Sequence, residues 1–365
     1  MKLCYVLPKF DIDAGEHVYH KYRLLSELGK RCKLAVLVEK CKGTPEFENA
    51  KEVICIKEQT LLSRCIETAG RMLELRLKGY NTFFVHYTFV GAVLASIIAR
   101  FTGAKVFYWN CGMPHLSFKH FGERGWLHSQ LNDDWPLRLS LNLSNYLVTG
   151  TKSMKEYYHE QFDVPLKKIV VVPNQIDLSR FTPTKRKNNV PVVLFVHRIS
   201  ERKGAHNIVP IAKKVLRTKK AQFVIIGEGP YLAELQASIR RNNLGKWMKA
   251  LGKIPNKDVV KYYQKADVFL MPSDEEGFPN VLLEAMATGT PFVASDVGGV
   301  RDVVCRTAQD FVVPKGEINV FAEKLVRLLS DEKLRAKLSR EGLKQVKRYD
   351  VKKVAQIFLD VLKNT

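Results

Sequence analysis

The sequence predicts an α/β protein made of two doubly wound, Rossmann-like halves, each with a parallel sheet covered by helices on both faces. Short apolar runs alternate with helical patterns along the chain, and this alternation is typical of parallel sheets. A length of 365 residues is enough for two domains of ordinary size. The polar, basic stretch from Asp177 to Asn189 separates the two series of strands and overlaps the predicted linker, residues 183–190.

The N-terminal domain is predicted to span residues 1–182. Its strands are short apolar runs that alternate with segments of helical spacing. The predicted strands are Lys2–Leu7, Leu34–Val38, Val53–Ile56, Thr82–His86, Lys105–Trp109, Tyr146–Thr149 and Ile169–Val172.

The C-terminal domain is predicted to span residues 191–347, and a last helix is predicted over residues 348–365. The predicted strands are Val192–Val196, Gln222–Ile226, Met248–Leu251, Val268–Met271, Pro291–Ala294 and Asp310–Val313. Two helical patterns, Ile318–Leu329 and Asp331–Lys347, follow these strands. Apolar residues then recur at helical spacing from Val351 to Leu362, which indicates an amphipathic final helix.

Composition indicates a globular protein, because 46% of the residues are hydrophobic and 26% are charged. No apolar stretch reaches the roughly 18 residues of a membrane span, and the first residues lead into a strand and not into a cleavable signal. We therefore expect a protein of the cell interior. Seven cysteines without a Cys-x-x-Cys pair argue against a disulfide framework and a metal cluster. Cys4, Cys32 and Cys55 are expected to be small core residues.

The segment from Ser273 to Pro291 carries the strongest functional signal. It joins a predicted strand to a helix, with Glu276 in the loop and Glu284 one turn into the helix. A helix N-terminus at the carboxyl end of a strand attracts anions, because unpaired N–H groups and the helix dipole point there. Carboxylates beside such a site suit the hydroxyl groups that flank the phosphates of a nucleotide sugar. Each Glu alone also fits a structural role, Glu276 as a solvated loop residue and Glu284 as support for the helix start.

Two cations lie at a similar position about seventy residues upstream. Arg198 follows the predicted strand Val192–Val196, and Lys203 precedes the next helix. An Arg fork and a mobile Lys charge can together hold a diphosphate. Alone the pair is a weak signal, because most Arg and Lys residues are solvated, and the nearby Gly227-Glu228-Gly229 turn lacks the third glycine of a dinucleotide fingerprint.

Together these residues resemble the retaining glycosyltransferase family 4, the glycosyl transferases group 1, which have the GT-B fold. Arg198 and Lys203 match the Arg-x4-Lys-Gly element of the family, and Glu276 and Glu284 match its Glu-x7-Glu motif. The Gly-Gly turn of the family resembles the segment 298–302. The resemblance is continuous from about residue 169 to residue 301 and thinner before that.

The resemblance implies two facing domains with the active site in the cleft, the donor on the second domain and the acceptor on the first. The last helix would cross back to the N-terminal domain. Glu284 would accept hydrogen bonds from the donor ribose and Glu276 from the transferred sugar, while Arg198 and Lys203 neutralise the departing diphosphate. Backbone groups would meet the phosphates at Phe278, Pro279, Asn280 and Val281, and the base at Ile254. No metal ion or other cofactor is implied, because two cations and a helix end take the role of a divalent ion.

The N-terminal domain departs from the family pattern at two places. Gly15 is expected to contact the donor phosphates, but Ala14 replaces the second glycine of the usual pair. Asn110 or Cys111 stands where the family often has a histidine. The acceptor-side candidates are therefore His17, His86 and Asn110. A lone histidine is more often structural than catalytic.

Charge is the second strong signal, since 59 Lys and Arg against 37 Asp and Glu give a net charge of +22. This exceeds what one anionic donor needs, and it favours an anionic membrane surface. Nucleic acid is not predicted as a partner, because no recognised nucleic-acid motif is present. Candidate membrane contacts are Leu61–Tyr80 and His115–Trp126, and for both an ordinary helix with a solvated basic face stays open.

Three functions therefore compete. The leading one is a retaining, metal-independent transferase that moves a sugar from a nucleotide-diphosphate-sugar donor to a lipid-linked or cell-envelope glycan, in the cytoplasm at the inner membrane face. The second is the same enzyme with a soluble acceptor, such as a sugar phosphate or a glucan. The third is a nucleotide- or nucleic-acid-binding protein without transfer activity. The presence of all four motif residues argues against it, and these are Arg198, Lys203, Glu276 and Glu284. Front-face transfer fits these residues better than a carboxylate nucleophile, which could not be placed.

Overall fold

The computed structural model describes residues 1–11, 19–57, 60–113, 135–185 and 188–365. The chain forms two compact units. The first consists of Met1–Pro173 together with Val351–Thr365, and the second of Asn174–Asp350. Each has a parallel sheet with helices, so the predicted α/β class with two doubly wound sheets is confirmed.

The sheet of the first unit has the strand order β2-β3-β1-β5-β6-β7-β8, and β4 pairs with β3 at its side. All of the pairings between its described strands are parallel, as repeated strand–helix–strand units require. The strands are β1 Lys2–Leu7, β2 Phe10–Asp11, β3 Lys33–Lys42, β4 Glu52–Lys57, β5 Thr82–His86, β6 Lys105–Trp109, β7 Tyr146–Thr149 and β8 Ile169–Val171. The short strand β2 was not expected from the sequence.

Helices cover both faces of this sheet. The helices are α1 Tyr19–Gly29, α2 Leu61–Leu77, α3 Phe89–Thr102, α4 Trp135–Leu143, α5 Lys152–Phe162 and the final α13 Val351–Asn364. On one face α13 packs beside α1, and Phe358 stacks on Tyr5 with ring centroids 6.2 Å apart. On the other face α2, α3 and α4 lie side by side, with Gly91 of α3 against Val6. Adjacent strand residues point to opposite faces, so Tyr5 and Val6 divide the two layers.

The sheet of the second unit has the strand order β11-β10-β9-β12-β13-β14, again with parallel pairings throughout. The strands are β9 Val192–Val196, β10 Gln222–Ile226, β11 Met248–Ala250, β12 Val268–Met271, β13 Phe292–Ser295 and β14 Val312–Val313. The chain moves outward from β9 through β10 to β11, then returns to β12 and moves the other way. The switch point of the sheet therefore lies between β9 and β12, where open α/β sheets bind ligands.

The helices of the second unit are α6 Ala205–Thr218, α7 Leu232–Arg241, α8 Asn256–Lys265, α9 Asn280–Ala287, α10 Val300–Val303, α11 Ile318–Ser330 and α12 Glu332–Val346. Helix α6 packs beside α11, and α9 packs beside α12. Buried aromatic side chains fill the core of the unit, among them Phe223, Phe269, Phe311 and Phe321.

The strands agree closely with the sequence predictions in position, and two of them have a bound that differs by more than one residue. Strand β3 continues to Lys42, four residues beyond the predicted end at Val38. The predicted strand Asp310–Val313 is shorter, because Asp310 and Phe311 belong to a 3-10 turn, and only Val312–Val313 pair with β13. The unit boundary also lies before the predicted linker. Ile176 forms a β-bridge with Asp350, so the segment after Pro173 is attached to the second unit.

The cysteines depart from the sequence analysis. Cys41 and Cys55 form a disulfide bond, which corrects the expectation of Cys55 as a small core residue; the cysteine count had argued only against a disulfide framework. The reason is tertiary, because β3 and β4 are parallel neighbours with an irregularity between Val38 and Cys41 that brings the two Cα atoms to 5.6 Å. Cys4 is buried as expected, and Cys32 is only half-buried.

Candidate functional site

The loops that follow β9 and β12 meet at the switch point of the second sheet. The loop after β9 carries His197 and Arg198 and then the 3-10 turn Glu201–Lys203. The loop after β12 carries Ser273 and Glu276 and leads into α9. Because β9 and β12 are paired neighbours, their carboxyl ends bring these side chains to one edge of the sheet.

Glycines allow the loops of this edge to approach one another. Gly204 has φ 71°, and a Cβ there would lie 1.8 Å from the carbonyl oxygen of Pro272, directly after β12. Gly227 has φ 138°, and a Cβ there would lie 1.8 Å from the carbonyl oxygen of His197. Only glycine fits either position, because a side chain would meet both backbone strain and a collision. The Gly-x-Gly turn noted in the sequence therefore has a packing role.

Glu276 is the centre of a buried polar cluster. Its Oε1 lies 2.9 Å from Nζ of Lys203 and 3.2 Å from Nε2 of His197, and it accepts a 2.9 Å hydrogen bond from Ser273 Oγ. Lys203 also donates to the carbonyl oxygen of Glu275 at 3.0 Å. Lys203 and Glu276 are 7% and 5% exposed, so the ion pair is nearly withdrawn from water. Two of the predicted catalytic residues thus touch each other.

Electrostatics keep Glu276 ionised in this cluster. Burial opposes the charge, but Lys203 and His197 outweigh it and hold the pKa of Glu276 well below its ordinary value. Burial and the neighbouring Lys203 charge lower the pKa of His197, although Glu276 opposes this shift. A neutral His197 accepts the backbone N–H of Arg198 at Nδ1, 2.8 Å away, which leaves Nε2 to donate to Glu276.

Helix α9 begins where the predicted phosphate contacts lie. Pro279 precedes the helix and Asn280 is its first residue, with the carbonyl oxygen Oδ1 of Asn280 accepting a 2.9 Å hydrogen bond from Asn174. Phe278 is buried and packs edge-on against Tyr349, with ring centroids 5.9 Å apart. These contacts hold the first turn in place, and the N–H groups of Asn280 and Leu282 donate to the carbonyl oxygens of Phe278 and Pro279 at 3.1 and 3.0 Å. Val281 completes the predicted set and is half-buried.

Glu284 lies further along α9 and is buried, 8% exposed. Its neighbour is Tyr263 of α8, whose pKa burial and the Glu284 carboxylate raise well above the ordinary value. Glu284 is therefore on the same helix as the predicted phosphate contacts, one turn beyond them. The Gly-Gly turn noted in the sequence contacts the Glu276 loop, since Gly299 N–H donates to the carbonyl oxygen of Glu276 at 3.4 Å.

The remaining second-unit candidates lie at the border of this cluster. Arg198 is exposed, and no carboxylate pairs with it among the residues that the structure describes. Ile254 follows β11, two strands from β9, and lines a surface cavity of about 290 Å³ together with Pro255, Asp258 and Tyr262. Both positions leave the side chains accessible. The backbone N–H of Arg198 donates to His197 of the cluster, and no contact between Ile254 and the cluster is seen among the described residues.

Two of the first-unit candidates lie outside the described residues, Gly15 and His17. His86 ends β5 and is buried, with Nδ1 2.8 Å from the hydroxyl of Tyr5 and its ring stacked 4.2 Å from Trp109. Burial, with a smaller effect of Lys21, lowers the pKa of His86 well below its ordinary value. Asn110 is also buried; its Nδ2 donates to the hydroxyl of Tyr108 at 3.2 Å and its Oδ1 accepts from Gly112 N–H at 3.0 Å.

The sequence analysis missed two residues of the cluster, His197 and Ser273. The available signal was position, because His197 is the first residue after one strand of the switch point and Ser273 comes shortly after the other. Across the described ranges, no group of three or more His, Cys, Asp or Glu side chains is arranged to hold a metal ion.

Comparison with known proteins identifies the family of the chain. Residues 179–345 match the family model of the glycosyl transferases group 1. An uncharacterized glycosyltransferase of Methanocaldococcus jannaschii is 30% identical over 73% of this chain and 73% of its own length. The UDP-Gal:alpha-D-GlcNAc-diphosphoundecaprenol alpha-1,3-galactosyltransferase of Escherichia coli is 29% identical over 58% of this chain and 59% of its length.

Solved structures share the fold. HepE of Anabaena, in complex with UDP, has a TM-score of 0.78 over 100% of both chains at 18% identity. The match supports the GT-B fold that the sequence motifs implied. The switch-point cluster lies inside the region matched by the family model. The chain belongs to the glycosyl transferases group 1 and is a glycosyltransferase with the GT-B fold.

Proposed function

We propose that this enzyme moves a hexose, with retention and without a metal ion, from a nucleoside diphosphate sugar to a glycan acceptor. The acceptor is a hydroxyl of a lipid-linked or cell-envelope glycan at the cytoplasmic face of the membrane. The observation that carries the proposal is the buried contact between Lys203 and Glu276 beside the start of α9. It puts a cation and a carboxylate next to a helix N-terminus at the switch point of the sheet.

Each donor group then has a suitable partner in the second unit. The N-terminal end of α9 suits the phosphates, and Glu284 suits the ribose hydroxyls. Glu276 suits the hydroxyls of the transferred sugar, because it stays ionised and is an acceptor only. Ile254, beside its surface cavity, suits the base. Gly15 remains a proposed phosphate contact of the first unit.

Lys203 and Arg198 would supply the positive charge that other transferases obtain from a divalent ion. When the bond between the anomeric carbon and the diphosphate oxygen breaks, negative charge develops on the leaving group. A cation fixed nearby stabilises that charge without reorganising. Lys203 is already fixed by Glu276 and Glu275, whereas exposed Arg198 can move onto the diphosphate.

Retention is proposed through front-face transfer. The acceptor oxygen bonds to the anomeric carbon on the face that the diphosphate leaves, and the hydroxyl proton passes to the departing phosphate. Glu276 is a poor covalent nucleophile here, because one of its oxygens already accepts from Lys203, His197 and Ser273. A trapped covalent sugar–enzyme adduct would contradict this route.

The lipid-linked acceptor is supported by the Escherichia coli relative, whose name specifies a sugar linked to diphosphoundecaprenol. The charge of the chain favours the same class, because the net charge of +22 exceeds what one donor requires. On the first unit, His86, Asn110 and His17 remain proposed acceptor contacts. Since His86 is neutral and buried, we propose that it positions other groups and carries no proton for the reaction.

The test is a panel of UDP-, GDP- and ADP-sugars with a chelator present, read by release of nucleoside diphosphate and by thermal stabilisation. One donor should bind and turn over slowly, and Glu284→Ala should abolish both signals. Lys333→Ala, an exposed change on α12, is the matched control and should leave both unchanged. No binding by any donor, or activity only after a divalent ion is added, would contradict the proposal.

The acceptor is tested next with the donor so identified. Transfer to a polyprenyl-diphosphate-linked sugar, with an α-linked product from an α-linked donor by NMR, is the expected result. Transfer only to a soluble sugar phosphate or glucan would favour the alternative acceptor class. Donor binding without transfer to any acceptor would favour a nucleotide-binding protein.

A further inference from the structure

Helix α2 is apolar on two opposite faces. The inner face is buried in the first unit, through Thr68, Met72 and Leu75. The outer face carries four large apolar side chains that are 71, 65, 45 and 89% exposed, which are Leu62, Ile66, Leu73 and Leu77. Their spacing of four, seven and four residues keeps them within about 60° of arc. Core packing explains the inner face and leaves the outer stripe unexplained.

Helix α3 extends this apolar surface. Phe101 is 85% exposed and Ile97 is 47% exposed, one turn apart on the outer side of α3. Arg76 of α2 donates to the carbonyl oxygen of Thr102 at 2.7 Å, so the C-terminal ends of the two helices lie together. Beyond them Ile97 and Phe101 line an open cavity of about 420 Å³ with Leu143 of α4. We call the α2–α3 surface the set Leu62, Ile66, Leu73, Leu77, Ile97 and Phe101.

The segment that carries this surface has a net positive charge, although Arg71 and Lys78 pair with Glu74 and Lys78 also pairs with Glu52. Between Thr60 and Lys105 the chain has six basic and two acidic residues, a net charge of +4 from 6 minus 2. The basic residues are Arg64, Arg71, Arg76, Lys78, Arg100 and Lys105, and the acidic ones are Glu67 and Glu74. The ratio exceeds the 59 to 37 of the whole chain. An apolar patch with basic residues around it is typical of proteins that lie on anionic membranes.

We propose that the α2–α3 surface docks on an anionic lipid bilayer, its apolar side chains in the headgroup–acyl boundary and its basic side chains at lipid phosphates. The positive charge near the α2–α3 surface favours a lipid bilayer over a second copy of the chain as its partner. A second copy of the chain would bring one positive surface against another, whereas anionic lipids complement both the charge and the apolar stripe. The inference rests on the proposed function for its purpose, since docking brings the enzyme to a lipid-linked acceptor. No described helix is long and apolar enough to cross a membrane.

Vesicle co-sedimentation tests the surface directly. Wild-type protein should sediment with vesicles of phosphatidylglycerol and phosphatidylcholine in equal parts, and high salt should weaken this binding. The triple variant Ile66→Ser, Leu77→Ser, Phe101→Ser should sediment about fivefold less, because it loses buried apolar area. The control is Leu166→Ser with Ile357→Ser, which removes two exposed apolar side chains elsewhere in the first unit. It should bind as the wild type does, and circular dichroism checks that both variants fold.

Three outcomes would overturn the inference. In the first, wild-type protein stays in the supernatant or binds vesicles of phosphatidylcholine alone equally well. In the second, the triple variant binds the vesicles as the wild type does. In the third, the wild type is a dimer in solution and the triple variant is not. Nucleoside diphosphate release, measured without vesicles on the same proteins, separates this test from the proposed function. Turnover without docking contradicts this inference alone, and docking without donor turnover contradicts the proposed function alone.

Discussion

Nζ of Lys203 lies 2.9 Å from Oε1 of Glu276, and both side chains are more than nine-tenths buried. The pair links the loop after β9 to the loop after β12, the two neighbouring strands of the switch point. A buried ion that loses its partner keeps its desolvation penalty without compensation. The pair therefore matters both for the stability of the second unit and for the charge offered to a donor.

Removing either partner should destabilise the protein. Lys203→Met and Glu276→Gln are each expected to lower the free energy of unfolding by about 3 kcal/mol, while the double variant recovers part of the loss. Chemical denaturation measures the cycle. The solvent-facing pair Lys344 and Glu341, whose charged atoms lie 3.0 Å apart, is the control and should show a coupling below about 1 kcal/mol. Equal coupling in the two pairs would contradict the assignment of Lys203 and Glu276 as a buried unit.

His197 should orient Glu276 and not titrate with it. His197→Ala removes one donor to a charged acceptor, so kcat/KM for donor turnover should fall by about tenfold, with a stability loss of about 1–2 kcal/mol. Because the pKa of His197 is lowered, its ring is neutral near pH 7, and the wild-type rate should not change with pH on its account between about 7 and 8. A pH–rate profile of both proteins checks this. A step in that range that disappears in His197→Ala would show a charged His197.

Gly204 should tolerate no side chain. Gly204→Ala combines a φ of 71° with a Cβ 1.8 Å from Pro272 O, so the loop or β12 must move. A loss of about 3 kcal/mol or more is expected, together with weaker donor binding. Gly316→Ala is the matched control, because Gly316 has a φ of 81° but nothing lies within 4 Å of the added Cβ. This variant should lose only about 1–2 kcal/mol of stability, from backbone strain alone. Thermal denaturation of both variants and donor titration measure the difference, and equal losses would contradict the close-packing argument.

Glu39 should make stability fall as pH rises. Burial raises the pKa of Glu39 to about 7, although the Thr88 hydroxyl donates to it at 2.5 Å. The folded protein then binds more protons than the unfolded chain between about pH 4.5 and 7, so stability is lost across that window. Glu39→Gln removes the penalty and should be about 2 kcal/mol more stable than the wild type at pH 8 and similar at pH 4.5. Unfolding at the two pH values checks this, and an equal difference at both would contradict it.

Much of the fold followed from local pattern. Strands such as Thr82–His86 and Val268–Met271 have the predicted bounds, because a buried parallel strand must be a short apolar run between turns. Arg198, Lys203, Glu276 and Glu284 were found by spacing and order. The spacing of these residues in the sequence did not predict which side chains contact one another. His197 and Ser273 join the cluster only because β9 and β12 are neighbours in the sheet.

Tertiary structure also decided which surfaces stay open. The spacing of α2 allowed an ordinary helix with one covered face, and the structure leaves Leu62, Ile66 and Leu77 outside. It joined Cys41 to Cys55, which the cysteine count did not indicate. It buried Glu39 beside α3, although Glu39 follows an apolar run like any solvated residue at a strand end.

The sequence by itself determined the two parallel sheets, the family and the residue types of the proposed donor site, because short-range periodicity and motif spacing are properties of the chain alone. Only the tertiary structure decided that Lys203 and Glu276 are a buried pair, that His197 and Ser273 support them, and that α2 presents a second apolar face. Those features depend on which strands become neighbours and which helix faces are covered. Strand neighbours and covered helix faces are both determined by packing between residues that are distant along the chain. A local sequence pattern therefore does not predict them.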